Sequence, residues 1–317
     1  GPYEVYADGF MGLKAAYESM LMVVDHKRGE RLKEIERNIE KLARIFPTPD
    51  DSRPALGHIA PMIVAHQIHA SGDASQGIMA SAFNLPNDPW IRGNVGWKQV
   101  MIYNVMKAKF DNCTTLIAKE ILADGREPEF DPYFNFVLLH EVSHGLGPAY
   151  RKDGVSVASS IGALYTTVEE AKADVGALYL LLHLGGKYGI PLFRPDSLLS
   201  SYLAGLFRSI RFGVHEAHGG ANVIQFNWFY ENNVIKTESS GRFSIDPAEL
   251  AKHTDNLLYR LCEIEASATE HEAEEFINRY AKAGGEIIDA LARLDHIPVD
   301  INAGNTNYER LRLKNAG

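Results

Sequence analysis

The chain contains only two cysteines, Cys113 and Cys262, among its 317 residues. Two cysteines cannot build a disulfide framework, so we expect a protein of a reducing compartment, the cytoplasm. No apolar run reaches the roughly 20 residues that a membrane-spanning helix needs, and the first residues lack the charged-then-apolar pattern of a signal peptide. A membrane is therefore not an expected partner.

The sequence also lacks any cluster of Lys and Arg of the kind that follows nucleic-acid phosphates. Its formal net charge is −9 and its pI is about 5.8. Neither a glycine-rich phosphate loop nor a G-x-S-x-G elbow occurs. These absences argue against nucleic acid as the main partner and against nucleotide-binding or serine-hydrolase chemistry.

Apolar residues make up 45% of the chain, enough for an extensive core. Helical periodicity dominates and predicts helices at 13–25, 29–45, 96–110, 112–123, 133–146, 167–183, 197–214, 220–232, 247–266, 269–283 and 285–294. The Pro-rich region 47–94 predicts loops, with 59–68 and 77–83 as the best places for short strands. We therefore expect one mainly α-helical domain over residues 1–317 with a minor β contribution.

The run His140-Glu141-Val142-Ser143-His144 is the most informative motif. Two histidines four residues apart on a helix project from one face, so both imidazoles can hold one ion. The surrounding segment is rich in apolar side chains and predicts a buried helix. Catalytic Zn²⁺ takes three protein ligands and leaves a fourth position for water, so the pattern predicts a zinc site that needs one more ligand.

An acidic segment 25 residues after His144 contains the candidate third ligand, Glu170. We expect this segment to start a second helix, with Thr167 as its N-cap. Glu170 and Asp174 are four residues apart and share a face, so one can bind metal while the other accepts a hydrogen bond from a metal-bound histidine. Glu169 and Asp174 are the candidates for such supporting contacts.

A structural cluster without metal is the alternative interpretation of these polar residues. Two histidines, a glutamate and a serine on an otherwise apolar helix would, however, be costly to bury without a partner or a metal. The acidic helix downstream supplies the carboxylates that a metal site requires. The metal site is therefore the favoured hypothesis.

Several separate segments, taken together, resemble the dipeptidyl peptidase III family of zinc exopeptidases. The resemblance is strongest to the peptidase-like region attached to some Nudix hydrolases, although the chain has no Nudix signature of its own. It covers nearly the whole chain and rests on five segments in the family order: 4–8, 84–88, 140–144, 169–174 and His218. It implies the helical catalytic lobe of a zinc metallopeptidase.

The resemblance also implies roles for individual residues. His140, His144 and Glu170 match the zinc ligands, and Glu141 matches the general base that activates a zinc-bound water. Two further matches steady the substrate carbonyl and its developing oxyanion: Tyr6 and His218. Three others hold the free amino end of the peptide: Glu4, Asn84 and Asn87. The implied activity is hydrolysis near the amino terminus of short peptides.

The chain departs from the family pattern in two respects. Asn222 stands where the peptidases carry an arginine, and the family's mostly β lobe would lie before the first residue of this sequence. The chain begins at Gly1-Pro2 without an initiator methionine, so we expect a piece of a longer polypeptide with an additional domain or lobe. Two other functions stay open: a zinc amidase or esterase acting on a non-peptide substrate, and a metal-stabilised binding or regulatory module.

Overall fold

A computed structural model of the chain describes residues 18–49, 61–72, 79–85 and 98–301. The strands in these ranges are β1 (Glu18–Val24), β2 (Met62–Gly72), β3 (Ala82–Leu85), β4 (Lys98–Ile102), β5 (Ile235–Thr237) and β6 (Phe243–Ile245). The helices are α1 (His26–Ile45), α2 (Tyr103–Lys109), α3 (Thr115–Ile121), α4 (Phe130–Ser143), α5 (Val157–Ile161), α6 (Tyr165–Leu184), α7 (Pro195–Ile210), α8 (Ala217–Glu231), α9 (Pro247–Ser267), α10 (Glu270–Tyr280) and α11 (Gly285–Arg293). This composition confirms the predicted mainly α-helical class. Among the described residues, no helix is both long and apolar enough to cross a membrane.

Four strands form a mixed sheet in the order β1-β2-β4-β3. The predicted helix at 13–25 is wrong over its described part, because residues 18–24 pair with β2 in antiparallel register. Apolar residues in this stretch include the β-branched Val23 and Val24, which suit a strand. A register shift between Leu21 and Met22 marks an irregularity in the pairing. A long-range strand partner therefore overrode the local helical periodicity.

The first half of the helix predicted at 96–110 is also wrong, because residues 98–102 form the inner strand β4. This strand pairs parallel with β2 and antiparallel with β3. Its residues from Gln99 onward are buried, so the apolar run lies inside the sheet instead of on one helix face. Helix α2 follows directly and continues through a π-helical turn, Phe110–Thr114, into α3.

Helix α6 lies at the centre of the helical part and packs against α4, α8 and α9. Because neighbours surround it, its buried residues lie on every face. The charged side chains of Glu169, Lys172 and Asp174 are buried with them. Buried charges are stable only when they are paired or hydrogen-bonded. The packing of α6 therefore requires polar partners from the neighbouring helices, and these partners form the site described below.

A glycine allows α4 and α6 to approach closely. A Cβ atom added to Gly176 of α6 would lie 2.8 Å from Ser143 Oγ of α4 and 2.7 Å from Cζ of Phe46. Helix α4 ends just beyond this contact, and Gly147 takes a φ of +84° that favours glycine. The two glycines thus fix how the histidine helix lies against the acidic helix.

The start of α6 differs from the prediction that Thr167 is its N-cap. The helix begins two residues earlier, at Tyr165, because a 3₁₀ turn over Gly162–Leu164 leads into it. Thr167 therefore lies inside the helix, where its side chain is near Gly220 of α8. The shift leaves Glu169, Glu170 and Asp174 within the first three turns, on the part of α6 that faces α4 and α8.

Candidate metal centre and active site

The two histidines of the H-E-x-x-H run lie at the end of α4. His140 is in the last turn, and His144 caps the helix. Their Nε2 atoms are 3.1 Å apart, as the four-residue spacing predicts. Each ring uses its other nitrogen to contact a carboxylate of α6: His140 Nδ1 is 2.7 Å from Asp174 Oδ1, and His144 Nδ1 is 2.8 Å from Glu169 Oε1.

These contacts determine the hydrogen positions on both rings. An ionised carboxylate can only accept, so each Nδ1 atom carries a hydrogen, and in neutral rings the lone pairs of the two Nε2 atoms would face each other. Two lone pairs at 3.1 Å repel unless a positive charge lies beside them. The arrangement therefore requires a proton or a metal ion at the Nε2 atoms of His140 and His144.

Glu170 brings a third donor atom to the same point. Its Oε2 is 3.3 Å from His140 Nε2 and 3.8 Å from His144 Nε2. This oxygen is buried and has no hydrogen-bond partner among the described residues. One ligand atom from each of His140, His144 and Glu170 lies within 4.8 Å of the others. Two imidazole nitrogens and one buried carboxylate oxygen without a hydrogen-bond partner fit a zinc ion.

The charges around these donors shift the pKa values of two of them in opposite directions. Burial disfavours the charged form of His140, but Asp174 and Glu170 outweigh it and raise the pKa of the imidazole well above its usual value. Burial also disfavours the Glu170 carboxylate, yet His218 and His144 hold its pKa well below its usual value. The protein thus keeps Glu170 ionised and favours a positive charge at His140.

Asp174 is held in place from its other side by two amides of α8. Its Oδ2 accepts hydrogen bonds from Asn222 Nδ2 at 3.0 Å and from Gln225 Nε2 at 2.9 Å. Gln225 in turn accepts a hydrogen bond from the Tyr202 hydroxyl at 2.9 Å. Because the amides donate to Asp174, they stabilise the ionised carboxylate that orients His140.

Glu169 is held by a buried ion cluster, which we define as Glu169, Lys172 and Glu265. Lys172 Nζ donates to Glu169 Oε2 at 2.9 Å and lies 3.6 Å from Glu265 Oε2 of α9. Burial opposes charge on Glu169, but Lys172 and His144 lower its pKa to about 2. Burial raises the pKa of Glu265 well above its usual value. Lys172 therefore pairs with one ionised carboxylate, that of Glu169, and this carboxylate orients His144.

His218 reaches the site from the first turn of α8. Its Nδ1 is 3.1 Å from Glu170 Oε2, and its side chain is 54% exposed. Its ring centroid is 6.0 Å from that of His140. Attraction to Glu170 raises the pKa of His218. His218 thus places an imidazole beside the candidate metal ligands and open to the cavity.

A cavity of about 530 Å³ adjoins these side chains. Glu141, His218 and Asn222 line it together with the ligands His140 and Glu170. The main chain of Glu141 is fixed by Gln99 of β4, whose amide donates to the Glu141 carbonyl at 2.6 Å. A volume of this size holds a small-molecule ligand or a short peptide.

Four of the predicted site residues lie outside α4, α6 and α8. Glu4, Tyr6 and Asn87 lie outside the described residues. Asn84 belongs to β3, where its backbone pairs with Gln99. Because Gln99 also donates to the Glu141 carbonyl, the backbone of Asn84 is one strand pairing away from a residue that contacts α4.

Several residues of the site carried no motif and were missed at the sequence level. Gln225 lies three residues after Asn222, so both project from one face of α8. Lys172 lies three residues after Glu169 on a helix that is otherwise apolar. A polar side chain on an apolar helix predicts a buried partner, and this signal could have pointed to both residues. The partners Tyr202 and Glu265 are distant in sequence and could not be paired from spacing.

We expect Asp174→Ala to bind zinc about 10- to 100-fold more weakly than the unchanged protein. The substitution removes the acceptor that orients His140 and leaves the amides of Asn222 and Gln225 without their shared carboxylate. Competition with a chelator of known affinity measures the change. Asp255→Ala is the control, because Asp255 contacts a histidine outside the cavity, His183. Unchanged zinc affinity in Asp174→Ala would contradict the assigned role.

The chain is similar to a peptidase family, to a plant protein and to two proteins of known structure. The model of peptidase family M49 matches residues 1–150. Nudix hydrolase 3 of Arabidopsis thaliana is 33% identical over 310 residues, which cover 95% of this chain and 40% of that protein. Solved structures of dipeptidyl peptidase III from Caldithrix abyssi and Corallococcus sp. strain EGB are each 32% identical, with TM-scores of 0.90 and 0.89.

The alignments to the solved structures cover 98% and 100% of this chain but only 61% and 60% of theirs. The chain therefore spans less than two thirds of the length of each of these three relatives. Within that span the helical fold is shared almost completely. The comparisons confirm the predicted resemblance to the dipeptidyl peptidase III family.

Proposed function

Because this chain is related to the dipeptidyl peptidase III family, we propose that it is a zinc-dependent peptidase that hydrolyses bonds near the amino terminus of short peptides. One observation carries the proposal. The donor atoms of His140, His144 and Glu170 converge beside a cavity that Glu141 and His218 also line. A purely structural metal would need neither of the last two residues.

His140, His144 and Glu170 are the proposed ligands, supported by Asp174 and Glu169 through the histidine Nδ1 atoms. A zinc ion bound there would act as a Lewis acid and lower the pKa of water toward neutrality. The ligand carboxylate stays ionised in its buried position. The chain thus brings three donor atoms within 4.8 Å of one another for a metal ion.

Glu141 is the proposed general base. It follows the ligand His140 directly, and it lines the cavity. As water attacks the peptide carbonyl, the Glu141 carboxylate accepts a proton from it and passes the proton to the leaving amine. His218 donates a hydrogen bond to the carbonyl oxygen as charge develops there, and Tyr6 is proposed as a second donor on the resemblance alone.

Recognition of the amino end is assigned to Glu4, Asn84 and Asn87, again on the resemblance. One carboxylate and two amides suit an α-ammonium group, because the ammonium offers three hydrogen bonds and one positive charge. We expect a short peptide with a free amino end to be cleaved faster than its acetylated counterpart, since acetylation removes that charge.

The test is the ratio of cleavage rates for the two peptides, with products identified by mass spectrometry. Glu4→Gln should narrow the ratio, whereas Glu274→Gln, which changes an exposed carboxylate of α10, should leave it unchanged. Equal cleavage of both peptides, or cleavage only at internal bonds, would rule out recognition of the amino end.

One observation favours the second candidate, a zinc amidase or esterase acting on a non-peptide substrate. The Asn222 amide donates to Asp174 and to the His218 carbonyl. This position therefore supports the ligands where the peptidases carry a cation that could contact substrate. Failure of the amino-end test together with hydrolysis of simple amides or esters would move the preference to this candidate.

A further inference from the structure

The cavity beside the candidate metal centre has a second polar region, which we call the basic end: Lys109, Arg208 and Asp300. The side chains of Lys109 and Arg208 line the cavity. They are only 1% and 11% exposed, respectively. Cations are rarely buried this deeply unless they are paired or bind a ligand.

Asp300 pairs with both cations but does not balance them. Its Oδ2 is 3.1 Å from Lys109 Nζ, and its Oδ1 is 3.4 Å from an Arg208 nitrogen. The same carboxylate also accepts backbone hydrogen bonds from Met79 and Ile301. Two cations and one anion leave the basic end with one net positive charge.

Arg208 has few polar partners, because its one carboxylate contact is the 3.4 Å approach to Asp300 and its guanidinium otherwise lies over the Phe212 ring. Its Nε is buried and has no hydrogen-bond partner among the described residues. Burial and the neighbouring charge of Arg208 also lower the pKa of Lys109 to about 8. An anion in the cavity would accept hydrogen bonds from Arg208. It would also offset the excess positive charge that lowers the pKa of Lys109.

The segment that contains Asp300 has a third cationic contact, which lies outside the cavity. Arg211 already holds that segment by donating to the carbonyls of Leu294, Ile297 and Pro298. Arg211 does not line the cavity, whereas Lys109 and Arg208 do. The segment therefore has an anchor outside the cavity in addition to the contacts of Asp300 with Lys109 and Arg208.

Helix α4 runs from Tyr133, near the basic end, to the candidate ligand His140. Tyr133 lines the cavity, and its ring centroid is 5.5 Å from that of Phe110, the residue after Lys109. His140 is seven residues further along the same helix, which corresponds to about 10 Å of helix axis. An extended peptide advances about 3.3 to 3.6 Å per residue, so about three residues bridge this distance.

We infer that the basic end binds a carboxylate of the substrate about three residues from the reactive bond, with Arg208 as the principal contact. The inference rests on the proposed peptidase function and adds a substrate class: short peptides with a free carboxyl terminus or an acidic side chain at that distance. A single net positive charge matches a monoanionic carboxylate. Arg208 and Lys109 thus act as specificity determinants for the carboxylate of the substrate.

Equilibrium binding tests the inference without depending on hydrolysis. The protein carries Glu141→Gln so that bound peptides stay intact, and calorimetry measures the affinity of three probes. These are tetraalanine, tetraalaninamide, and a C-terminally amidated tetrapeptide that ends in glutamate. We expect the free carboxylate to bind about 10- to 100-fold more tightly than the neutral amide, as one charge-assisted contact allows. Recovery of affinity with the glutamate amide would identify a side-chain carboxylate as an equivalent source.

Variants at position 208 connect this preference to the residue. Arg208→Gln should remove the difference between tetraalanine and its amide, whereas Arg208→Lys should keep part of it. Arg279→Gln is the matched control, because Arg279 pairs with Glu231 outside the cavity, and it should keep the full difference. Melting curves verify that each variant is folded.

Equal affinity for the three probes, including undetectable binding of all of them, would overturn the inference. Retention of the full difference in folded Arg208→Gln would also overturn it. A separate assay distinguishes these outcomes from failure of the proposed function. If the protein with Glu141 intact cleaves no peptide but still prefers the carboxylate, the peptidase proposal fails and the carboxylate site stands.

Discussion

Glu141→Gln is expected to keep its metal and to lower kcat for peptide hydrolysis by about 10²- to 10⁴-fold. The amide has nearly the shape of the carboxylate but cannot accept the proton of the attacking water. The backbone carbonyl of Glu141, which holds Gln99, is unchanged by the substitution. The loss should therefore appear in kcat and leave the fold and the metal content intact.

Steady-state kinetics together with elemental analysis of the purified variant measures this result. Glu274→Gln is the control for a carboxylate-to-amide change on an exposed helix face. A Glu141→Gln variant with undiminished kcat would show that another group is the base. Loss of the metal would instead show that Glu141 supports the ligands.

His140→Ala is expected to have the largest effect on metal binding. His140 supplies one of three convergent donor atoms, and its Nε2 lies close to both His144 and Glu170. Two donors remain after the substitution, which is fewer than zinc takes from protein in catalytic sites. We expect the affinity loss to exceed the ~10- to 100-fold typical of residues that only orient a ligand.

Zinc per chain after dialysis against a chelator measures the loss. His183→Ala is a close control, because His183 also lies near a carboxylate, with its Nε2 2.6 Å from Asp255 Oδ1, but it does not line the cavity. The control should keep its zinc. Full zinc occupancy in His140→Ala would refute the ligand assignment, and circular dichroism would show whether the variant is folded.

Local signals in the sequence predicted the parts of the structure that depend on short spacing. The four-residue interval of His140 and His144 placed both rings on one face, and the interval of Glu170 and Asp174 did the same on α6. Helices α1 and α6 to α11 lie near their predicted ranges, because their apolar periodicity and capping residues agree with their packing. For these elements, local preference and tertiary contacts favour the same conformation.

Features that depend on distant partners could not be predicted. Strands β1 and β4 were expected as helices, because only pairing with β2 and β3 stabilises them as strands. The hydrogen bonds of Gln225 to Asp174 and Tyr202 join three separate helices. The basic end likewise combines α2, α7 and Asp300. Spacing along the chain carries no information about such contacts.

The buried ion cluster has a consequence for how this sequence can change over time. Lys172 lies between Glu169, which orients His144, and Glu265 of α9, a helix that does not line the cavity. Loss of Lys172 alone would leave the ionised Glu169 carboxylate buried without its partner, a change that costs about 3 to 5 kcal/mol. A replacement of Lys172 should therefore be accepted only together with a replacement of Glu169. Glu265 lies 3.6 Å from Lys172 Nζ, so a residue that replaces it in α9 must leave the lysine paired with Glu169, and α9 thus constrains the evolution of the histidine site.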